Sequence, residues 1–133
     1  MGTQLFSSSR AAFAVARAEG FLPDIIHAHD WQTGLVPAYV NTVEWGTPFH
    51  GAATVLSIHN MGYQGWFARS EYPRTGLSWG SPALGALTMH GQLNLLKAGI
   101  EASTLVSTVS PNYAHEIQTP EGGEGLEGLI RRR

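Results

Sequence analysis

The chain has 133 residues, 14% charged and 43% hydrophobic, with a formal net charge of -2; that length suits one domain core and excludes a large two-domain enzyme unless the chain is a piece of one. A single lysine, Lys97, and a terminal run of Arg131, Arg132 and Arg133 leave the body with five cationic side chains against ten acidic ones, which excludes a phosphate-tracking nucleic-acid surface and places most cationic partners of any bound nucleotide outside the chain. The absence of cysteine excludes disulfides and thiolate metal sites, no apolar stretch approaches the roughly 18 residues of a membrane span, and the start at Met1 lacks the basic and apolar regions of a secretory leader.

In chain order, residues 5–20 place Phe6, Ala12, Phe13, Val15 and Ala16 at helical spacing, with Gly20 as the stop. Pro23 opens a new element, and the short β-branched run 24–29 predicts a buried strand. Asp30 is positioned as an N-cap for a helix over 31–40, which Pro37 kinks or limits to short turns. After loop chemistry at 46–48, residues 52–59 predict a second buried strand. From 60 to 82, Gly62, Gly65, Gly76, Gly80, Pro73 and Pro82 fall among Trp66, Phe67, Tyr72 and Trp79, which predicts a long functional loop with short turns.

Leu93, Leu96, Lys97 and Ile100 predict a helix over 92–102, and 104–109 a third strand. Ser110 caps a further helix with Pro111 at its first position, ending near residue 118. Residues 121–133, with Gly122, Gly123, Gly125 and Gly128 among glutamates and then arginines, read as a flexible Gly/Glu-rich and basic tail. Apolar strands separated by helices predict an α/β fold: an incomplete parallel sheet with helices on both faces, joined by right-handed crossovers. Ligands of such sheets sit beyond the carboxyl ends of the strands, which directs attention to His29 and Asp30, to His59 and Asn60, and to Ser110.

His27 and His29 share a strand face, so they can meet one ligand, and Asp30 serves either as a ligand-facing carboxylate or as a plain cap. Two imidazoles at this spacing could also hold a divalent ion, as in metallo-hydrolases of the amidohydrolase kind, but His50, His59, His90 and His115 form no second cluster. Around His59, the imidazole, the amides of Asn60 and Gln64 and the phenol of Tyr63 crowd a strand end beside Gly62 and Gly65. Such groups bind hydroxyls in both donor and acceptor senses, as sugar recognition requires. The bland alternative is a polar loop packed on its own domain. Lys97 reads as a solvated helix lysine and Ser110 as a structural cap.

Five runs, taken together and in order, resemble the N-terminal half of bacterial glycogen synthases and plant starch synthases. The first is Pro23-Asp24-Ile25-Ile26-His27-Ala28-His29-Asp30-Trp31-Gln32-Thr33-Gly34. Ile58-His59-Asn60 with Tyr63-Gln64-Gly65 follows, then Leu96-Lys97-Ala98-Gly99-Ile100, Thr108-Val109-Ser110-Pro111 with Tyr113-Ala114, and Glu116-Ile117-Gln118-Thr119-Pro120-Glu121. The resemblance implies a partial N-terminal catalytic domain over 1–133, an incomplete Rossmann-like sheet of the glycosyltransferase-B type. The implied reaction is a retaining transfer of glucose from ADP-glucose to the non-reducing end of an α-1,4-glucan, with no cofactor and no essential metal.

On the same resemblance, His59 and Asp30 are catalytic and Asn60, Tyr63 and Gln64 bind substrate. The histidine matching His59 lies against the donor glucose, its side chain near the 6-hydroxyl and its carbonyl near the anomeric carbon, and Asp30 lies in the interdomain cleft. The family's lysine-bearing Lys-Thr-Gly-Gly-Leu motif and its second Rossmann domain are absent, so the segment is expected to be inactive alone and to need that C-terminal domain as partner. The run Glu121-Gly122-Gly123-Glu124-Gly125-Leu126-Glu127-Gly128 also departs from the family's usual Glu-Phe-Gly-Cys-Gly-Leu-Asp-Gly. The implied location is the cytoplasm of a bacterium, or a plastid for a plant parent. Three alternatives stay open: a stand-alone glucan-binding module using Trp31, Tyr63, Trp66 and Trp79, a His27/His29 metallo-hydrolase, and another glycosyltransferase-B enzyme such as a sucrose synthase.

Overall fold

The computed structural model describes residues 2–133, with side chains from residue 8 onward; Met1 and the expected place of Phe6 in the first apolar stripe lie outside what it describes. Helix α1 (Gly2–Ala18) buries Phe13, whose ring meets Tyr39 and Phe49 edge-on at 6.5 and 5.4 Å. It ends as its sequence predicts. Gly20 turns left-handed at φ 65, and the N–H groups of Gly20 and Phe21 donate to the carbonyls of Arg17 and Ala16, which satisfies the last turn.

Strands β1 (Ile25–His29), β2 (Ala53–Ile58) and β6 (Leu105–Thr108) form a parallel sheet in the order β1-β2-β6, with His29 level with Ser57 and Ile58 level with Thr108. The three apolar runs are thus strands, and the parallel α/β arrangement is as expected. One face of this sheet carries Ala28, Leu56 and Ile58, all buried under α2 (Leu35–Asn41) and α4 (Leu95–Ala102). The opposite face, with Ile25 63% and Leu105 56% exposed, stays largely open, so the expected helical cover on both faces is present on one only.

Pro37 neither kinks nor breaks a long helix. A single 3-10 turn over Trp31–Thr33 precedes α2, and Pro37 is the third residue of α2, where its missing N–H would have had no intrahelical acceptor. Gly34, just ahead of that helix, touches α4 directly. A Cβ on Gly34 would sit 2.3 Å from the Leu95 carbonyl oxygen, and one on Gly99 would sit 3.0 Å from the Gly34 oxygen, so hydrogen side chains at both positions set the distance between the two elements.

The stretch expected as one long loop contains more order than its breakers suggest. Strand β3 (Trp66–Ala68) leads into a 3-10 segment over Arg69–Thr75 and helix α3 (Ala83–Leu87). Then β4 (Thr88–Met89) and β5 (Gln92–Asn94) complete a small antiparallel sheet of order β3-β5-β4. His90 and Gly91, both at positive φ, make the two-residue hairpin turn between β4 and β5. The helix expected over 92–102 consequently starts only at Leu95, because residues 92–94 are in the sheet and the Asn94 side chain caps the helix by accepting from the Lys97 N–H at 2.8 Å.

Helix α5 (Pro111–Glu116) begins as expected, with Ser110 Oγ accepting from the Tyr113 N–H at 3.1 Å. The flexible tail predicted for 121–133 is instead two short helices, α6 (Pro120–Gly123) and α7 (Glu127–Arg131). The physical reason is burial. Leu126 and Leu129 join the core, Thr119 caps α6, and Gly122 passes so close to the Glu116 carbonyl that a Cβ would lie 2.2 Å from it. The glycines that looked like a flexible spacer permit close packing.

Candidate functional site at the carboxyl ends of β1 and β2

Strands β1 and β2 end within one residue of each other, so the residues that follow them meet at one edge of the sheet. Asp30 is the first residue beyond β1. Its N–H extends the ladder by donating to the Ser57 carbonyl at 2.9 Å, while its backbone sits at φ 58, ψ -167, a region that is essentially reserved for glycine. The side chain makes no cap bond to the following turn. Instead Oδ1 accepts from the His59 N–H at 2.6 Å and, more weakly, from the Asn60 N–H at 3.4 Å. The expected N-cap is therefore corrected: the carboxylate reaches sideways to the end of β2, and the unusual backbone angle aims it there.

His59 projects from that clamp, and its Nε2 lies 3.1 Å from Nδ1 of His29. The His29 ring leans on His27 with centroids 4.1 Å apart, and His27 Nε2 is 2.7 Å from Ser57 Oγ, itself 2.7 Å from Ser107 Oγ. Thr33 closes the strand end from the other side. Its hydroxyl donates to the His29 carbonyl at 2.9 Å and accepts from the His29 N–H at 2.8 Å. The two histidines of β1 thus already have partners, and among the described residues no group of three or more His, Cys, Asp or Glu side chains is placed to hold a metal ion.

Asp30, Trp31, Gln32, Asn60 and Tyr63 line an open hollow of about 330 Å³ beside this edge. Tyr63 is 68% exposed, and the Asn60 side chain accepts from the Gly62 N–H at 2.8 Å, which tightens the turn after β2. Gly65 is required for shape: it sits at φ 72, and a Cβ there would lie 2.5 Å from the Trp31 ring. Tyr113 fixes the loop from below, its hydroxyl accepting from the Met61 N–H at 3.0 Å. Two larger hollows, of about 530 and 510 Å³, run along α1, away from the carboxyl ends of the strands, the second reaching the amino end of β1 at Ile25 and Ile26.

The structure brings Asp30, His59, Asn60 and Tyr63 together and directs Gln64 elsewhere. Gln64 is only 4% exposed, its amide donating to the carbonyls of Met61 and Glu124 and its oxygen accepting from Asn94 Nδ2 at 2.7 Å. Its side chain joins the site loop to the helical cap of α4 and the turn after α6. Lys97, expected to be a solvated helix lysine, is also structural. Its ammonium donates to the carbonyls of Gly85 and Ala86 in α3 and pairs with Glu101 at 3.0 Å. Sequence reading pointed to His29 as a strand-end residue, but it missed the contact of His29 with His59 and the part Thr33 plays in holding the His29 backbone.

A partial parallel sheet with helices on one face and a polar cluster at its strand ends defines a piece of an α/β domain, and comparison with known proteins identifies the piece. The family described as the starch synthase catalytic domain matches residues 3–132, and the chain belongs to that family. It is 42% identical over 125 residues to glycogen synthase of Treponema denticola and 44% identical over 134 residues to that of Thermotoga maritima. Those matches take in 94% and 100% of this chain but 26% and 28% of the relatives, so the chain spans about a quarter of their length. Among solved structures, the catalytic domain of starch synthase IV from Arabidopsis thaliana, bound to ADP and acarbose, superposes with a TM-score of 0.84. It shares 34% identity with this chain and covers 96% of it, the match extending over 27% of that domain.

Proposed function

We propose that this segment forms the sugar-facing part of the cleft of a retaining glucosyltransferase that moves glucose from ADP-glucose to the non-reducing end of an α-1,4-glucan. The observation that carries the reading is the clamp in which Asp30 holds the backbone of His59 and Asn60 at the adjacent ends of β1 and β2. The solved relative bound to ADP and acarbose, a nucleotide and an oligosaccharide analogue, supports the substrate class.

In this reading the bond between glucose C1 and the diphosphate oxygen breaks as a bond from C1 to the acceptor 4-hydroxyl oxygen forms on the same face. The acceptor proton passes to the departing phosphate oxygen. Positive charge develops at C1, and oriented dipoles stabilise it better than mobile water because they need no reorganisation. The His59 carbonyl and imidazole supply such dipoles, the first toward C1 and the second toward the 6-hydroxyl, and the Asp30 carboxylate keeps the peptide in place. Asn60 and Tyr63 contribute hydroxyl contacts in the hollow, and Gln64 holds the loop from the interior. With ten acidic residues against one lysine and seven arginines, three of those in the terminal run 131–133, the chain in this reading leaves the diphosphate to cations outside it, and the 133 residues alone are expected to be inactive.

The test is a chimera in which this chain replaces the matching segment of a full-length bacterial relative. Glucosyl transfer from ADP-glucose is expected in the chimera, with loss of at least about a hundredfold in kcat for His59→Ala at unchanged folding. Near-normal turnover of the His59→Ala chimera would refute the assignment.

A further inference from the structure

The proposed cleft accounts for His59, Asp30, Asn60 and Tyr63, but it leaves a second imidazole in direct contact with the first. His29 Nδ1 stands 3.1 Å from His59 Nε2, within hydrogen-bond range, and the two rings are 5.4 Å apart between centroids. Two neutral imidazole nitrogens can share such a contact only if one carries the proton and the other the lone pair. The state of His29 Nδ1 therefore decides which nitrogen of His59 is protonated, and so whether the other ring nitrogen of His59, Nδ1, accepts or donates a hydrogen bond.

His29 is itself held on three sides. Its backbone N–H and carbonyl are both bonded to the Thr33 hydroxyl, and its ring leans on His27. The His27 ring in turn is pinned through Nε2 to Ser57 Oγ, and Ser57 to Ser107, so one string of contacts crosses all three strands and ends on His59. An exposed imidazole with no ring partner would rotate among several orientations. Here the string gives His59 a ring partner that favours one orientation, which matters because a hydrogen bond to a sugar hydroxyl loses most of its strength when donor or acceptor is misaimed.

We infer that His29 is a positioning residue for this site: its Nδ1 sets the tautomer and ring orientation of His59 toward the substrate hydroxyl. The inference rests on the functional reading above for what His59 does, and on the geometry alone for the coupling between the two rings. His29→Phe keeps a flat ring against His27 and deletes the nitrogen. His29→Asn restores it, because the amide of Asn places a donor or acceptor close to where Nδ1 stands and can turn to present either.

Two measurements separate the coupling from the catalytic reading. In the 133-residue chain, imidazole nitrogen-15 spectra are expected to show one dominant tautomer of His59 and a mixture of both in His29→Phe. In the full-length chimera, His29→Phe is expected to lower kcat by roughly tenfold or more while the KM for ADP-glucose changes much less, and His29→Asn to recover most of the loss. A purely structural His29 would change thermal stability without moving the His59 spectrum. An unchanged His59 spectrum in His29→Phe overturns the coupling, whatever the chimera does. Altered spectra with unchanged kcat overturn the role in transfer, and an unsubstituted chimera without transfer overturns the functional reading on which that role rests.

Discussion

Asp30 offers a prediction in which stability and function move apart. Its backbone at φ 58, ψ -167 costs about 1–3 kcal/mol for a residue with a Cβ, and its carboxylate offsets that cost by bonding the His59 and Asn60 N–H groups. Hydrogen bonds to a charged group contribute ~1.5–3 kcal/mol, and the lower end applies because this site is open to water. Asp30→Ala keeps the strained backbone and loses the bonds, so a destabilisation of about 1.5 kcal/mol is expected. Asp30→Gly loses the same bonds but relieves the strain. Set against ~0.4–1 kcal/mol of added unfolded-chain entropy, the relief leaves the glycine variant about 1 kcal/mol more stable than the alanine variant. Asp30→Asn keeps a neutral acceptor and falls between wild type and alanine.

Urea unfolding of the 133-residue chain, followed by circular dichroism with equal m-values across the series, measures these differences. Glucosyl transfer in the chimera is expected to fall in both Asp30→Ala and Asp30→Gly, the better-folded glycine variant included, because neither holds the His59 peptide. If Asp30→Gly is as unstable as Asp30→Ala, the backbone angle is not what the carboxylate compensates. If Asp30→Gly restores transfer, the carboxylate does not position His59.

Three further outcomes are expected. Gly65→Ala forces a Cβ into a left-handed position and into the Trp31 ring, so a loss of at least about 2 kcal/mol is expected, with altered tryptophan fluorescence from a displaced Trp31. Gln64→Ala or Asn94→Ala strands its buried partner and costs ~1–3 kcal/mol by urea unfolding, whereas the double variant costs clearly less than the two summed. In the chimera, Gln64→Ala should leave the donor KM nearly unchanged, which separates an interior brace from a sugar contact. Burial pushes the Tyr39 phenol up from 10.0 to about 12 despite the nearby Arg10. The unfolded chain therefore releases this proton first, and stability should decline from about pH 10 upward by ~2 kcal/mol near pH 12, a slope that Tyr39→Phe removes.

Much of the chain's local order was legible because local rules decide it. The β-branched runs at 24–29, 52–59 and 104–109 became strands, Ser110 became a cap and Gly20 a stop, since each outcome depends on residues within one turn or one pleat of each other. The small antiparallel sheet was not legible. Its strands β3, β4 and β5 are two or three residues long, too short for a period, and Leu93, which fits a helical stripe, pairs instead with Phe67 from a distant part of the chain. The tail was misread for a related reason: a run of glycines looks the same whether it serves mobility or close approach, and the Glu116 carbonyl that lies against Gly122 shows only in the fold.

By itself, the sequence determined a parallel α/β fold, a family, and a polar cluster at the ends of two strands that includes Asp30 and His59. Tertiary structure decided what each polar group does. Asp30 and His59 are 29 residues apart, His29 and His59 are 30, and Gln64 meets Asn94 30 residues away, so no window of local sequence contains both partners of any of these bonds. A carboxylate that reads as a cap, an amide that reads as a sugar contact and a histidine that reads as half of a metal pair were each assigned by the pairing of β1 with β2 and by the packing of the site loop on α4. A polar side chain bonds whatever donor or acceptor the fold brings within about 3 Å, and only the assembled sheet supplies that neighbour.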